Sequence, residues 1–291
     1  MAKHYEALQR AEEERRRRVS GEPPAVKPVQ WDTTPETAPK PKTRLRDHLK
    51  RTPRPRPVAP SRIRSRERAD DGANEMNKRR ISLLQPDSYA AEQFRTLRAR
   101  IDSIATERPI KTLAITSANP DEGKSTGAIN LAAVTSMGVG RKVLLIDCDL
   151  RRPKVHTSLG IEPRSGLGEI LLGQARFDDA VVKADGLDLD VLPVRTPPPN
   201  PSELLASPEM RELLDEVKER YDQIILDTPA CLGLPDAKTV TELCDGIILV
   251  VRADVTPRVD MAAVLEILDR RRVLGTLLNG AEISRQQYGY Y

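Results

Sequence analysis

The stretch Thr112-Leu-Ala-Ile-Thr-Ser-Ala118-Asn-Pro-Asp-Glu-Gly123-Lys124-Ser125-Thr126 decides the fold class of this chain. An apolar run from Thr112 to Thr116 leads into a short polar loop, and a helical pattern follows from Lys124 to Met137. The run does not alternate between apolar and polar residues, which is typical of a strand buried on both faces of a parallel sheet. At a junction of this kind, backbone N–H groups and the helix N-terminus face an anion.

The same alternation of strand and helix patterns continues downstream. Four further apolar runs cover Val143 to Ile146, Ile224 to Leu226, Ile247 to Val251 and Val273 to Leu278. Helical stretches separate these runs, notably Ser202 to Arg220 and Val259 to Arg270. The pattern predicts an α/β fold with a doubly wound, mostly parallel sheet.

An amphipathic helix is predicted before the first strand. Pro86-Asp87-Ser88 is typical of a helix start, with Asp87 or Ser88 as the N-cap. Apolar residues follow at spacings of three and four, namely Ala91, Phe94, Leu97, Ile101 and Ile104. One face of this helix is therefore expected to pack on the domain.

The 291 residues divide by composition into a basic segment and a mildly acidic one. Residues 1–80 contain 22 Lys or Arg and 12 Asp or Glu, a net charge of +10, whereas residues 81–291 contain 25 and 31, a net charge of −6. We predict a disordered Pro/Arg-rich extension over residues 1–80, a folded domain over 81–281 and a flexible tyrosine-rich tail over 282–291.

The basic extension has two interpretations. It is either solvated chain, or a polybasic segment that contacts an anionic membrane surface or an acidic partner. Nucleic acid is not expected as a partner, because no aromatic residues are interleaved with the basic ones.

Composition also excludes several classes of protein. No apolar run reaches the ~18 residues of a transmembrane helix, and the N-terminus lacks the apolar region of a secretory signal. Cys148, Cys231 and Cys244 lie in apolar surroundings without metal-ligand spacing, so they are interpreted as reduced core thiols. The three histidines are scattered along the chain, which argues against a His-based metal site.

The loop after the first strand resembles a Walker A sequence, GxxxxGK[ST], with Ala118 in place of the first glycine. Lys124 would reach the β- and γ-phosphates of ATP, Ser125 would bind Mg²⁺, and Thr126 would lie nearer the α-phosphate. The other interpretation is an ordinary strand–turn–helix with a surface lysine. The predicted nucleotide contacts in the loop are Asn119, Pro120, Asp121, Glu122, Gly123, Lys124, Ser125 and Thr126.

Aspartates follow two of the predicted strands. Asp147 and Asp149 come after one strand, and Asp227 follows another in the manner of a Walker B carboxylate. Ligands of open α/β sheets bind at the carboxyl ends of the strands, which is where these side chains are expected. Each aspartate alone could instead cap the next helix, but together with the loop they indicate Mg-nucleotide chemistry.

This set of motifs resembles that of the bacterial tyrosine kinases, the BY-kinases, over roughly residues 81–291. In that family, Asp147-Cys-Asp149-Leu-Arg151 corresponds to the element called Walker A′. The resemblance implies a P-loop NTPase architecture of the deviant Walker type and transfer of the ATP γ-phosphoryl group to a tyrosine hydroxyl. Lys124, Asp147, Asp149 and Asp227 are then the predicted catalytic residues, and Ser125, Asp147 and Asp227 the predicted metal site.

The resemblance assigns roles outside the loop as well. Glu92, Arg95 and Arg98 fit an ExxRxxR element that joins subunits into a ring, although Glu92 and Arg95 could simply form an intrahelical ion pair. Tyr288, Tyr290 and Tyr291 resemble the C-terminal cluster that these kinases autophosphorylate. By resemblance to related P-loop ATPases, Asn279 would face the adenine.

The implied biology is regulation of capsule and exopolysaccharide synthesis. The expected partners are other copies of the chain in a ring, a transmembrane polysaccharide co-polymerase that activates the kinase, and a cognate tyrosine phosphatase. The expected location is cytoplasmic, peripheral to the inner membrane through that partner. Two alternatives remain, a positioning ATPase similar to MinD/ParA, whose signature lysine is replaced here by Asn119, and an ATP-binding scaffold without enzymatic activity.

Overall fold

A computed structural model of the chain describes residue 85 and residues 87–281. The predicted basic extension over residues 1–80 therefore lies outside the described residues, and so does the tyrosine-rich tail with Tyr288, Tyr290 and Tyr291. Among the helices described, none combines the length and the apolarity needed to cross a lipid bilayer.

A seven-stranded sheet forms the centre of the described domain, with the strand order β3-β4-β2-β5-β1-β6-β7. All neighbouring strands are parallel except β3 and β4, which are antiparallel. The predicted parallel sheet is confirmed, while the two short strands β3 and β4 had no recognisable sequence pattern. The strands are β1 (Thr112–Ser117), β2 (Val143–Asp147), β3 (Val182–Lys183), β4 (Leu189–Leu192), β5 (Gln223–Asp227), β6 (Gly246–Arg252) and β7 (Val273–Asn279).

Helices cover both faces of the sheet, which confirms the doubly wound arrangement. Alternate residues of β1 point to opposite faces, so that Leu113 and Ile115 join one buried cluster and Ala114 joins the other. The helices are α1 (Tyr89–Glu107), α2 (Lys124–Ser136), α3 (Val155–Leu159), α4 (Leu167–Leu171), α5 (Phe177–Ala180), α6 (Pro201–Ala206), α7 (Pro208–Arg220), α8 (Asp236–Thr241) and α9 (Arg258–Ile267). Helices α1, α2 and α3 pack on one face and α4 to α9 on the other.

Helix α1 begins where the sequence predicts it. Of the two candidate caps, Ser88 is the N-cap, and its hydroxyl accepts a hydrogen bond from the Ala91 N–H. Phe94 and Ile101 of its apolar stripe are buried against α2 and the sheet. This packing fixes α1 against α2, the helix that follows the Walker A-like loop of residues 118–123, which we call the phosphate loop.

The helix predicted over Ser202 to Arg220 is in fact two helices, α6 and α7. The break falls at Ser207, whose backbone is extended, with φ −69° and ψ 160°. The following Pro208 disfavours a helical conformation for the residue before it. The Ser207 hydroxyl then caps α7 by accepting a hydrogen bond from the Met210 N–H.

Two further sequence predictions are tested by the fold. The helix predicted to end at Arg270 ends at Ile267, and residues Arg270–Arg272 form a separate 3₁₀ turn before β7. The three cysteines are buried and unpaired, as expected of core thiols.

Candidate active site

The loop between β1 and α2 takes a conformation that requires glycine at one position. Gly123, the N-cap of α2, has φ +104°, and a Cβ built there would lie 2.0 Å from Nδ2 of Asn279. That amide nitrogen donates a hydrogen bond to the carbonyl oxygen of Glu122 at 2.9 Å. Asn279, which was predicted to face the adenine, therefore braces the loop from the end of β7.

Two polar side chains of the loop turn inwards. The Glu122 side chain is buried and accepts hydrogen bonds from the Asn119 N–H at 3.0 Å and the Thr256 hydroxyl at 2.6 Å. The Asn119 side chain donates to Asp260 of α9 at 2.8 Å. Both residues were predicted as nucleotide contacts, and their side chains instead hold the loop against α9 and the segment before it.

The remaining loop residues face outwards or begin α2. Pro120 and Asp121 are exposed, and Asp121 has a positive φ of 60°. Ser125 and Thr126 are half-buried in the first turn of α2, and the Lys124 side chain is buried at the same end of the helix. The helix N-terminus, the ammonium group and the hydroxyl group thus lie together, which suits a phosphate ligand.

The register of the sheet brings two of the predicted aspartates together. Asp147, the last residue of β2, pairs with Asp227, the last residue of β5. The Asp147 carboxylate is fully buried and accepts hydrogen bonds from the N–H groups of Asp149 at 3.1 Å, Lys154 at 3.2 Å and Val155 at 3.1 Å. Burial first, and then the nearby Asp227 carboxylate, raise the pKa of Asp147 well above its usual range.

Asp227 is the least satisfied group of the site. Its side chain is 1% exposed, yet neither carboxylate oxygen has a hydrogen-bond partner among the residues that the structure describes. Burial raises the pKa of Asp227 to about 7, while the nearby Ser125 hydroxyl and Lys124 ammonium act in the opposite direction. A buried carboxylate without a partner is costly, and a bound cation is the usual solution.

The donor set at this position fits Mg²⁺. Asp227 offers two unpartnered oxygens beside the Ser125 hydroxyl, and Mg²⁺ is commonly held by one or two carboxylates together with substrate phosphates and water. Over residues 87–281, no cluster of three or more His, Cys, Asp or Glu side chains could hold a metal ion. The remaining ligands of Mg²⁺ would come from nucleotide phosphates and water.

Asp149 and the arginines after it organise the loop that follows β2. The Asp149 carboxylate accepts a hydrogen bond from the Arg152 N–H at 3.0 Å. Arg151 turns away from the phosphate loop, since its guanidinium binds the buried Asp236 carboxylate at 2.7 Å and the Ser202 hydroxyl at 2.9 Å. These contacts fix the loop against α6 and α8.

Several residues of the site had no signal in the sequence analysis. Lys154 reaches the phosphate loop, where its Nζ lies 2.8 Å from Oδ1 of Asp121. Arg252 donates to the Asp121 carbonyl oxygen at 3.2 Å, and Thr256 and Asp260 hold the loop as described above. Only Lys154 had a sequence neighbour that could have revealed it, the Asp-x-Asp element five residues earlier.

The predicted interface residues lie on α1. Arg95 forms an ion pair with Glu92 one turn away, the intrahelical alternative considered from the sequence. Arg98 donates to the carbonyl oxygen of Val134 in α2 at 2.6 Å. Arg98 is therefore engaged within its own chain.

Comparison with known proteins agrees with this geometry. Residues 110–269 match the family described as AAA domain. The tyrosine-protein kinase YwqD of Bacillus subtilis is 41% identical over 219 residues, which are 74% of this chain and 92% of YwqD. The solved kinase domain of the Escherichia coli tyrosine kinase ETK is 31% identical, with a TM-score of 0.64, and the match covers 72% of this chain and 84% of that structure.

A longer relative is also similar. The succinoglycan biosynthesis transport protein ExoP of Rhizobium meliloti is 34% identical over 73% of this chain, but the match spans only 29% of ExoP. The chain therefore corresponds to less than a third of that protein's length.

Proposed function

Because the chain belongs to the family of bacterial tyrosine-protein kinases, we propose that it transfers the γ-phosphoryl group of Mg·ATP to tyrosines of its own C-terminus, Tyr288, Tyr290 and Tyr291. The observation that carries this proposal is the convergence of the Gly123-Lys124-Ser125 loop with the buried carboxylates of Asp147 and Asp227. Membership of this family favours a kinase over the positioning ATPase and the inactive scaffold.

Nucleotide binding is assigned to the phosphate loop and the start of α2. The free N–H groups of the first turn and the Lys124 ammonium face the phosphates, and Ser125 and Asp227 hold the metal. Bound Mg²⁺ would neutralise charge on the phosphate oxygens. Occupation by a cation also gives the Asp227 oxygens the partners that they lack.

Acceptance of the tyrosine proton is assigned to Asp147. Three backbone N–H groups hold its carboxylate in one orientation and favour its ionised form, which is the form that accepts a proton. The tyrosine oxygen forms a bond to the γ-phosphorus as the bond from that phosphorus to the bridging oxygen breaks. ADP leaves, and the phenolic proton passes to Asp147, whose orientation is supported by Asp149.

The cellular role is proposed from the relatives. ExoP is named for succinoglycan biosynthesis and transport, so we assign this kinase to exopolysaccharide or capsule synthesis. The proposed setting is the cytoplasmic side of the inner membrane, with a transmembrane co-polymerase as activator, a tyrosine phosphatase that reverses the modification and a ring of copies of the chain.

The first test is phosphorylation by the purified full-length chain with Mg·ATP, followed by anti-phosphotyrosine blotting and mass spectrometry. We expect phosphate on the C-terminal tyrosines of the wild type and none in Lys124→Met, because the variant lacks the ammonium that faces the phosphates. Thermal unfolding is the control that Lys124→Met remains folded. Equal phosphotyrosine in the wild type and in folded Lys124→Met would contradict the assignment.

A further inference from the structure

Lys154 connects the two loops that frame the proposed site. Its backbone N–H donates to Oδ2 of Asp147 at 3.2 Å, so the residue starts beside the proposed proton acceptor. Its side chain then extends to the phosphate loop, where Nζ lies 2.8 Å from Oδ1 of Asp121. Lys154 thus bridges the two loops between which the reacting groups must meet.

Lys154 lies beside the buried carboxylates of the site. Its backbone N–H bonds to the Asp147 carboxylate, and Asp147 pairs with Asp227 where β2 and β5 end. Lys124 and Lys154 differ in accessibility, since Lys124 is buried under the loop and the Lys154 side chain is 38% exposed. Lys154 is therefore a second cation at the rim of the site.

The partner that holds Lys154 is a weak one. The Asp121 side chain is 71% exposed, and an exposed ion pair contributes little because water screens both charges. The Asp121 backbone is held separately, through the hydrogen bond from Arg252 to its carbonyl oxygen at 3.2 Å. Lys154 can therefore leave Asp121 without releasing the apex of the loop.

A triphosphate would compete with Asp121 for this lysine. Its γ-phosphoryl group carries more negative charge than one carboxylate, and phosphate oxygens form strong charge-assisted hydrogen bonds with ammonium groups. We propose that Lys154 is a further catalytic residue, which pairs with Asp121 in the nucleotide-free site and moves to the γ-phosphoryl group when ATP binds. This inference rests on the proposed function, in which charge on the transferred group must be neutralised.

Binding measurements test this exchange without turnover. We expect Lys154→Met to weaken binding of the non-hydrolysable imido analogue of ATP about tenfold, as loss of a charged hydrogen bond implies, and to change ADP binding less than about twofold, because ADP lacks the γ-phosphoryl group. Lys154→Arg should retain most of the affinity for the analogue, since it keeps the charge. The matched control is Lys183→Met, which removes an exposed lysine of β3 that pairs with the exposed Asp188.

Removing the Asp121 carboxylate should change the affinity for the imido analogue in the opposite direction. Asp121→Asn should strengthen binding of the imido analogue, because Lys154 then has no partner to leave. Equal affinity of wild type, Lys154→Met and Lys183→Met for the analogue would overturn the inference. A loss that is the same for ADP would overturn it too, since it would place Lys154 away from the γ-phosphoryl group.

Turnover separates this inference from the proposed function. In a kinase assay we expect kcat of Lys154→Met to fall on the order of a hundredfold, as for loss of one preorganised charge-stabilising group, while Lys183→Met matches the wild type. If neither the wild type nor Lys183→Met forms phosphotyrosine, the proposed function fails, and the binding ratios still decide the role of Lys154. Unchanged kcat in Lys154→Met beside an active wild type would reject the catalytic role.

Discussion

The Asp227 carboxyl group carries a cost that depends on pH. Its pKa is raised from 3.8 to about 7 by burial, whereas an unfolded chain ionises it near the ordinary value. The neutral Asp227 carboxyl therefore carries no ionisation penalty below about pH 4. The free energy of unfolding falls as the pH rises from there through about 7, where the buried group ionises. A difference of about three pKa units corresponds to up to about 4 kcal/mol at full ionisation.

Asp227→Asn should therefore stabilise the nucleotide-free protein, and more so at pH 8 than at pH 5. Thermal or urea unfolding at both values measures the difference between the variant and the wild type. Asp188→Asn is the control, because this exposed carboxyl has a lowered pKa and stays ionised across the window. If the difference in unfolding free energy between Asp227→Asn and the wild type is the same at pH 5 and pH 8, Asp227 is not held in its neutral form.

Gly123 is constrained by its neighbour as well as by its backbone. Alanine at this position would meet both a positive φ and the Asn279 amide, whereas alanine at Gly140, with φ +70° and open space around it, would meet only the first. We expect Gly123→Ala to cost more unfolding free energy than Gly140→Ala, by roughly 1–3 kcal/mol. In a double-mutant cycle, Asn279→Ala should recover part of this excess, and strictly additive effects would show that the two side chains do not collide.

At the scale of elements, α1 is attached to α2 through Arg98. Arg98→Ala should cost roughly 1–2 kcal/mol, because it removes a charged hydrogen bond to the Val134 carbonyl near the end of α2. Arg95→Ala should cost less than Arg98→Ala, because the pair of Arg95 with Glu92 is intrahelical and such pairs contribute about 0.2–0.5 kcal/mol. Urea unfolding compares the two, and equal costs would contradict this assignment.

Because Arg98 is bonded to Val134 within its own chain, a test of the proposed ring of subunits should leave Arg98 in place. Replacing Glu92, Arg95 and Arg98 together would combine a loss of interface with a loss of stability. The double change Glu92→Ala and Arg95→Ala leaves the bond from Arg98 to Val134 intact, so light scattering on this variant tests assembly without loss of that bond.

At the scale of the whole molecule, the question is which subunit's tail enters a given site. The end of β7 lies beside the phosphate loop, because Asn279 donates to the Glu122 carbonyl oxygen. The ten residues after Ala281 reach at most about 36 Å when extended. That reach suits a neighbouring site in a ring and also the subunit's own site.

A mixing experiment distinguishes the two. Lys124→Met keeps its tyrosines but lacks activity, and a second variant with Tyr288, Tyr290 and Tyr291 changed to Phe keeps the intact site. If the tail enters a neighbour's site, as proposed, incubation of both with Mg·ATP should phosphorylate the tail of the Lys124→Met chain, which mass spectrometry would detect. An unmodified Lys124→Met chain beside an active wild-type control would refute transfer between subunits.

Sequence patterns alone predict the parallel sheet, the succession of its main strands and helices along the chain, and the residues of the phosphate loop. Each of these follows from local patterns: Ile, Val and Leu runs mark buried strands, and Gly123-Lys124-Ser125 is contiguous. The sequence also narrows the N-cap of α1 to Asp87 or Ser88, because capping depends only on residues of the first turn. The prediction of one helix over Ser202 to Arg220 is wrong, because the helical pattern continues across Pro208. The proline itself indicates the boundary between α6 and α7.

The directions of the side chains around the site depend on tertiary packing. Glu122 and Asn119 point to Thr256 and Asp260, more than a hundred residues away in sequence, and Lys154 meets Asp121 across two loops. The unpartnered state of Asp227 is likewise a property of its surroundings, because burial and the absence of donors arise from strands and loops that close around it. Contacts between distant segments depend on how the elements pack, and no local pattern in the chain encodes the direction of a side chain after packing.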